Sequence, residues 1–151
     1  MKTKWKEQEL TMSYHQFTLF QKGQPKPHHD WSDEDIQKGY VADDKAISFE
    51  AVSNTKAIVE VWVNETPDAS KAEKTTRLPF HVESDGIEIK SVLSETLSYD
   101  IPKGYYYVTC LTIPLQEKTN SGLYLVKYLL CILKVNKKRR PTVDSSGNIQ
   151  H

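Results

Sequence analysis

The chain has 151 residues, 38% of them hydrophobic and 26% charged, and its 20 Lys and Arg cancel its 20 Asp and Glu. This composition fits one globular domain over residues 1–136 with a basic, polar, flexible tail over 137–151, and it excludes a disordered or fibrous chain. The longest apolar run, Tyr128 to Leu133, is too short to cross a bilayer, and the basic start at Met1 to Glu7 leads into no apolar stretch, so a cytoplasmic protein is expected.

Glu9 to Phe20 reads as a strand, with Met12, Tyr14, Thr18 and Phe20 on one face and Phe17 and Leu19 on the other. Gly23-Gln24-Pro25-Lys26-Pro27 ends it, because two prolines remove N–H donors and fix φ. Trp31 to Gly39 breaks the strand pattern. Ser32 is a candidate N-cap, Asp33, Glu34 and Asp35 suit the positive end of a helix dipole, and Gly39 terminates the segment. One or two helical turns are expected near residues 32–38.

Ala46 to Val52 and Ala57 to Val63 follow as strands around Ser53-Asn54-Thr55. In the second, Val59, Val61 and Val63 share one face while Ile58, Glu60 and Trp62 share the other. A polar loop from Thr66 to Lys74 leads to a strand over Thr76 to Val82, which Pro79 assigns to an edge or a bulge. Asp85-Gly86 then turns into Ile87 to Lys90, where apolar and charged residues alternate. Tyr105 to Ile113 and Leu123 to Val135 are the richest in aromatic and β-branched residues. The second is long enough for a helix, but Tyr124, Val126, Tyr128, Leu130 and Ile132 also fit a period of two. The expected fold class is all-β, an antiparallel β-sandwich of about seven to eight strands with the short helical insertion.

Chemical motifs are sparse. His28 and His29 are adjacent on an extended segment and point to opposite sides, and neither CxxC nor HExxH occurs, so no metal site is expected. Cys110, Cys131, His15, His28, His29 and His81 form no nucleophile–base spacing, and the scattered glycines make no phosphate-cradling loop. No catalytic residue and no cofactor are expected. A hairpin turn at Thr119 to Gly122 sets Cys110 directly opposite Cys131, whereas an open loop from Pro114 displaces them by about five residues, roughly 16 Å. In a cytoplasmic setting both thiols are expected reduced and buried.

Zero net charge conceals a gradient: residues 1–29 carry +3, residues 30–100 carry −9 and residues 101–151 carry +6. The carboxylates concentrate at Asp30, Asp33, Glu34, Asp35, Asp43 and Asp44, with Trp31, Ile36 and Tyr40 among them. Aromatics beside clustered carboxylates suit an interface that docks on a basic surface. An acidic cap with core-plugging Trp31 and Ile36 accounts for the same residues. Asp30, Trp31, Asp33, Glu34, Asp35, Tyr40, Asp43 and Asp44 are therefore the candidate partner-binding residues. A second reading is a ligand-binding module that stacks Trp62, Tyr105, Tyr106 and Tyr107 on carbohydrate-like rings. Lys137 to Arg140 reads as a solubilising tail or a short phosphate-attracting patch.

Several ordered segments carry a family resemblance. They are Trp5 with Glu9-Leu10, Ser13-Tyr14-His15-Gln16-Phe17-Thr18, Asp30-Trp31-Ser32-Asp33-Glu34 and Lys38-Gly39-Tyr40. Ala46 to Ala51, Asn54 to Ala57, Pro79 to Val82, Gly86-Ile87, Pro102 to Gly104 and Thr109-Cys110 continue the series. Over roughly residues 5–115 the chain resembles the competence protein ComJ family. The resemblance implies a bacterial, cytoplasmic, non-catalytic inhibitor whose partner is a DNA-degrading nuclease of the NucA type, with no direct nucleic-acid binding and no membrane insertion.

Overall fold

A computed structural model describes residues 2–43, 45–118 and 124–135, together with Thr142–Val143 and Ile149–Gln150. In chain order the elements are β1 (Thr3–Lys4), β2 (Gln8–Thr11), β3 (Gln16–Gln21), α1 (Asp33–Lys38), β4 (Tyr40–Ala42), β5 (Ile47–Glu50) and β6 (Lys56–Val63). They continue with β7 (Lys74–Val82), β8 (Ile87–Ser91), β9 (Leu97–Tyr99), β10 (Gly104–Lys118), β11 (Tyr124–Lys134), β12 (Thr142–Val143) and β13 (Ile149–Gln150). One sheet has the order β1-β6-β11-β10-β7 with β2 also on β6, a second has the order β4-β5-β3-β8-β9, and β12 pairs with β13.

The all-β class with a short helical insertion, read from the sequence, is the class observed, with strands gathered into two main sheets. The first sheet is mixed, because β11 runs antiparallel to β10 but parallel to β6. The long chain between β6 and β11 gives the crossover that parallel pairing demands. Pro79 lies in β7, at an edge of its sheet as expected of a residue without an N–H to donate.

The chain divides into two compact units: Met1–Glu9 with Lys56–Phe80 and Gly104–His151, and Leu10–Thr55 with His81–Lys103. In the first, β6 buries Val59, Val61 and Val63 completely and leaves Ile58, Glu60 and Trp62 half-buried, the alternation its sequence predicts. β11 lies between β6 and β10, so its apolar length is paired on both sides. Its register sets Cys131 opposite Thr109 and Cys110 opposite Leu130, one residue from direct opposition. The two thiols thus occupy opposite faces of the sheet, and both are free and buried. Burial pushes each thiol up to about 12, which keeps both protonated. The turn residues Thr119 to Gly122 and the basic stretch Lys137 to Arg140 lie outside the described residues.

In the second unit β3 is the spine, flanked by β5 and β8, with Phe17, Leu19, Ile47, Phe49, Ile87 and Ile89 buried. A buried amide ties two segments to it. Gln21 Nε2 donates to the carbonyls of Lys45 at 3.0 Å and His81 at 2.8 Å, while Gln21 Oε1 accepts from the N–H groups of Glu83 at 2.8 Å and Ser84 at 3.2 Å. Every polar atom of that buried side chain is satisfied. Asp85-Gly86 does not close a hairpin, since β7 and β8 belong to different sheets. Gly86 has φ 156°, and a Cβ there would lie 2.0 Å from the Tyr99 carbonyl oxygen, so the close approach of β9 requires glycine.

Glu9 to Phe20 is not one strand. It breaks into β2 and β3, with Tyr14 and His15 in a turn between them at φ 54° and 52°. With no Gly, Pro or Asn near position 14, the sequence gives no turn signal there.

Candidate functional site

The acidic segment folds as its local chemistry dictates. Ser32 takes the N-cap position, its hydroxyl accepts from the Asp35 N–H at 3.1 Å, and the Asp35 carboxylate accepts from the Ser32 N–H at 3.0 Å. This capping box, with Gly39 at φ 86° as the left-handed terminator, holds a helix of only six residues. The backbone and side-chain hydrogen bonds of Ser32 hold the Asp35 carboxyl below its ordinary value of 3.8. Lys38 Nζ lies 3.5 Å from Asp35 and 5.0 Å from the centroid of the Tyr40 ring. Asp35 and Tyr40 are therefore committed to the helix and its exit. Asp33 and Glu34, on the same first turn, are exposed.

Asp43 is likewise occupied. Its Oδ1 accepts from the N–H groups of Lys45 at 2.8 Å and Ala46 at 2.9 Å, and its Oδ2 lies 3.5 Å from His29 Nε2. Asp30 is exposed, with Oδ1 3.1 Å from His28 Nε2. Asp44 lies outside the described residues. The candidate carboxylates thus separate into an outward set, Asp30, Asp33 and Glu34, and a self-bonded set, Asp35 and Asp43.

His28 and His29 diverge as adjacent residues on an extended chain must. His28 is exposed, while His29 Nδ1 meets Ser48 Oγ at 2.7 Å, and Ser48 Oγ meets Thr18 Oγ1 at 2.7 Å. Asp43, His29 and Ser48 therefore lie in the order of a hydrolytic triad. Ser48 and Thr18 are 1% and 0% exposed, so no substrate carbonyl reaches either hydroxyl. The β3–β5 register places Thr18 directly opposite Ser48, and the chain of hydrogen bonds fastens the segment before α1 to the sheet. Among the described residues no three His, Cys, Asp or Glu side chains gather as a metal set.

Trp31 is half-buried and its Nε1–H donates to Gln16 Oε1 at 3.2 Å. Together with Tyr14, His15, Gln16, Ile36 and Glu50 it lines a cavity of about 240 Å³. The residues that join Trp31 and Ile36 here come from the turn that periodicity conceals. Gln16 N–H donates to the Ser13 carbonyl at 3.3 Å across Tyr14 and His15, both left-handed. Positive φ at both central positions is the type I′ pattern, which selects Asn-Gly, and each side chain held there costs about 1–2 kcal/mol.

The rings of the ligand-stacking alternative, all in the first unit, are disposed otherwise. Tyr106 and Tyr107 are buried, the Arg77 guanidinium lies 4.2 Å from the Tyr107 ring centroid, and Lys4 Nζ lies 4.1 Å from that of Trp62. They form cross-strand and cation–π contacts rather than an exposed stacking face. Among the described residues no helix is long and apolar enough to cross a membrane.

A family model described as Competence protein J (ComJ) matches residues 9–133, which extends past the stretch whose sequence carries the resemblance and takes in most of β11. The chain is 51% identical over 131 residues to the DNA-entry nuclease inhibitor of Bacillus subtilis (strain 168), covering 87% of this chain and 97% of that protein. A solved structure of ComJ from Bacillus subtilis, described as an inhibitor of the DNA degrading activity of NucA, superposes with a TM-score of 0.79 at 45% identity. That match covers 89% of this chain and 99% of the other. A structure described as Crocagin biosynthetic gene J has a TM-score of 0.61 at 12% identity, covering 90% of this chain and 99% of its own, a likeness of fold alone.

Proposed function

The chain belongs to the competence protein J (ComJ) family, and we propose that it is a non-catalytic cytoplasmic inhibitor of a DNA-degrading nuclease of the NucA type, binding it through the acidic and aromatic surface around α1. The observation that carries this reading is the 51% identity, over nearly the whole relative, to a nuclease inhibitor. The surface is argued from charge. An enzyme that degrades DNA must offer positive charge to phosphates, and a protein that blocks it gains from carboxylates aimed at the same groove. Asp30, Asp33 and Glu34 are exposed, and they flank the Trp31 and Ile36 side chains of the cavity. Asp35, Tyr40 and Asp43 support that surface from behind by holding the helix, its exit and the following turn. The reading requires no cofactor, metal or direct DNA contact.

The test is a DNA-degradation assay with a NucA-type nuclease and graded amounts of the protein. The wild type is expected to inhibit stoichiometrically. Asp33→Lys with Glu34→Lys spares the Asp35 cap and is expected to slow association about tenfold or more at low salt. The gap should narrow between about 0.01 and 0.15 M ionic strength, as the screening length falls from about 30 to about 8 Å. A folded charge-reversed protein that associates at the wild-type rate at all salts removes this surface from the interface.

A further inference from the structure

Tyr14, Ile36, Val52 and Leu93, the exposed large apolar side chains among the described residues, are 66%, 56%, 56% and 77% exposed. Hydrogen bonds and a shared cavity wall bring the segments that carry them to one turn. Leu93 N–H donates to Ser13 Oγ at 2.9 Å, and the His15 carbonyl accepts from the N–H of Ala51, the neighbour of Val52, at 2.8 Å. Asn54 Oδ1 accepts from the His15 N–H at 2.7 Å, which ties the loop beyond Val52 to the same turn. Ile36 shares the cavity wall with Tyr14 and His15. Scattered single apolar residues on a surface are ordinary, but a set converging on one turn is the signature of an interface.

The backbone of the turn is an independent sign. Tyr14 and His15 occupy consecutive left-handed positions that Asn and Gly fill without strain. Strain of this kind persists where the side chains it displays are used. Here it projects a phenol ring and an imidazole beside Trp31 and Ile36. The cavity, about 240 Å³, falls below the roughly 300–1,000 Å³ of small-molecule sites, so it suits one inserted side chain better than a free ligand. Glu50 lines it, Asp33 and Glu34 stand on the helix that supplies Ile36, and Asp30 precedes Trp31.

From this we infer that the Tyr14–His15 turn is the anchor point of the partner interface: the cavity receives one apolar side chain of the nuclease, and Lys or Arg residues flanking that side chain meet the surrounding carboxylates. The inference rests on the nuclease-inhibitor reading and adds to it the chemistry of the contacting segment. Contacts of this type dominate interfaces because a ring or aliphatic group fully desolvated at the centre contributes far more than the charged rim. The carboxylates set the approach, and the turn sets the residence time.

The test replaces the strained turn by its unstrained form. Tyr14→Asn with His15→Gly keeps every charge of α1 and is expected to melt at or above the wild-type temperature, because the left-handed strain is relieved. Its inhibition constant against a NucA-type nuclease is expected to rise at least about 30-fold, mainly through faster dissociation, with the salt dependence of association unchanged. Ile36→Trp, which fills the cavity from an exposed position, is expected to weaken inhibition in the same way. If both variants fold and inhibit like the wild type while Asp33→Lys with Glu34→Lys loses inhibition, the anchor is overturned and the acidic surface stands. If the wild-type protein leaves DNA degradation unchanged, the inhibitor reading falls and the anchor falls with it.

Discussion

The unit formed by Leu10–Thr55 and His81–Lys103 holds twelve acidic and six basic residues, net −6, and contains Tyr14, Ile36, Val52 and Leu93. The remainder holds fourteen basic and eight acidic residues, net +6, and none of its described residues is a large, exposed hydrophobic one. The neutral chain is therefore two oppositely charged halves. The difference also runs through the backbone. Tyr14 in the acidic unit is a bulky residue type that seldom takes positive φ, whereas Asn64 of the basic unit is a type that tolerates it. Of the four exposed apolar side chains of the acidic unit, Tyr14 also sits on left-handed backbone. The basic unit reads as scaffold: among its described residues, Lys127 lies 2.5 Å from Glu60 and 3.1 Å from Glu7.

Paired truncations test this contrast most severely. Leu130→Ala, in the basic unit at 0% exposure, should cost about 2–5 kcal/mol of stability, whereas Leu93→Ala at 77% exposure should stay within about 0.5 kcal/mol. Denaturant melts of the two proteins check it, and comparable losses would erase the division between scaffold and surface. A smaller effect sharpens the acidic side. Ser32→Ala removes the N-cap and should cost about 1 kcal/mol, read by thermal melting. Since the Asp35 carboxyl lies below its ordinary 3.8 in the folded protein, its stabilisation is present above that value and is lost as pH falls through the lower folded value. The acid limb of the stability curve of Ser32→Ala should accordingly be shallower than that of the wild type. Smallest in free energy is the thiol test. With Cys110 and Cys131 pushed up to about 12, neither should react with a thiol reagent at neutral pH until denaturant opens the basic unit. Rapid labelling of the folded protein would show that its sheet is not the rigid half.

Much of the candidate site was legible before any coordinates. Ser32, the first-turn carboxylates and Gly39 mark the helix by interactions within one or two turns, so local chemistry suffices to place it. The alternation of Val59, Val61 and Val63 against Ile58, Glu60 and Trp62 survives intact, because a strand facing a core on one side obeys a period of two. The role of each carboxylate was not legible. Asp33 and Asp35 look equivalent in sequence, yet one is exposed and the other is bound to its own cap.

By itself the sequence determined the all-β class, the capped helix, the placement of Pro79 at an edge or a bulge and, through ordered family signatures, membership of the ComJ family. These are properties of short-range hydrogen bonding, of side-chain alternation and of ancestry. Tertiary structure alone decided that β6 and β11 run parallel, that Cys110 and Cys131 occupy opposite faces, and that Tyr14 and His15 join Trp31 and Ile36 around one cavity. Strand partners and turn strain depend on contacts between residues far apart in the chain, and no local pattern encodes them.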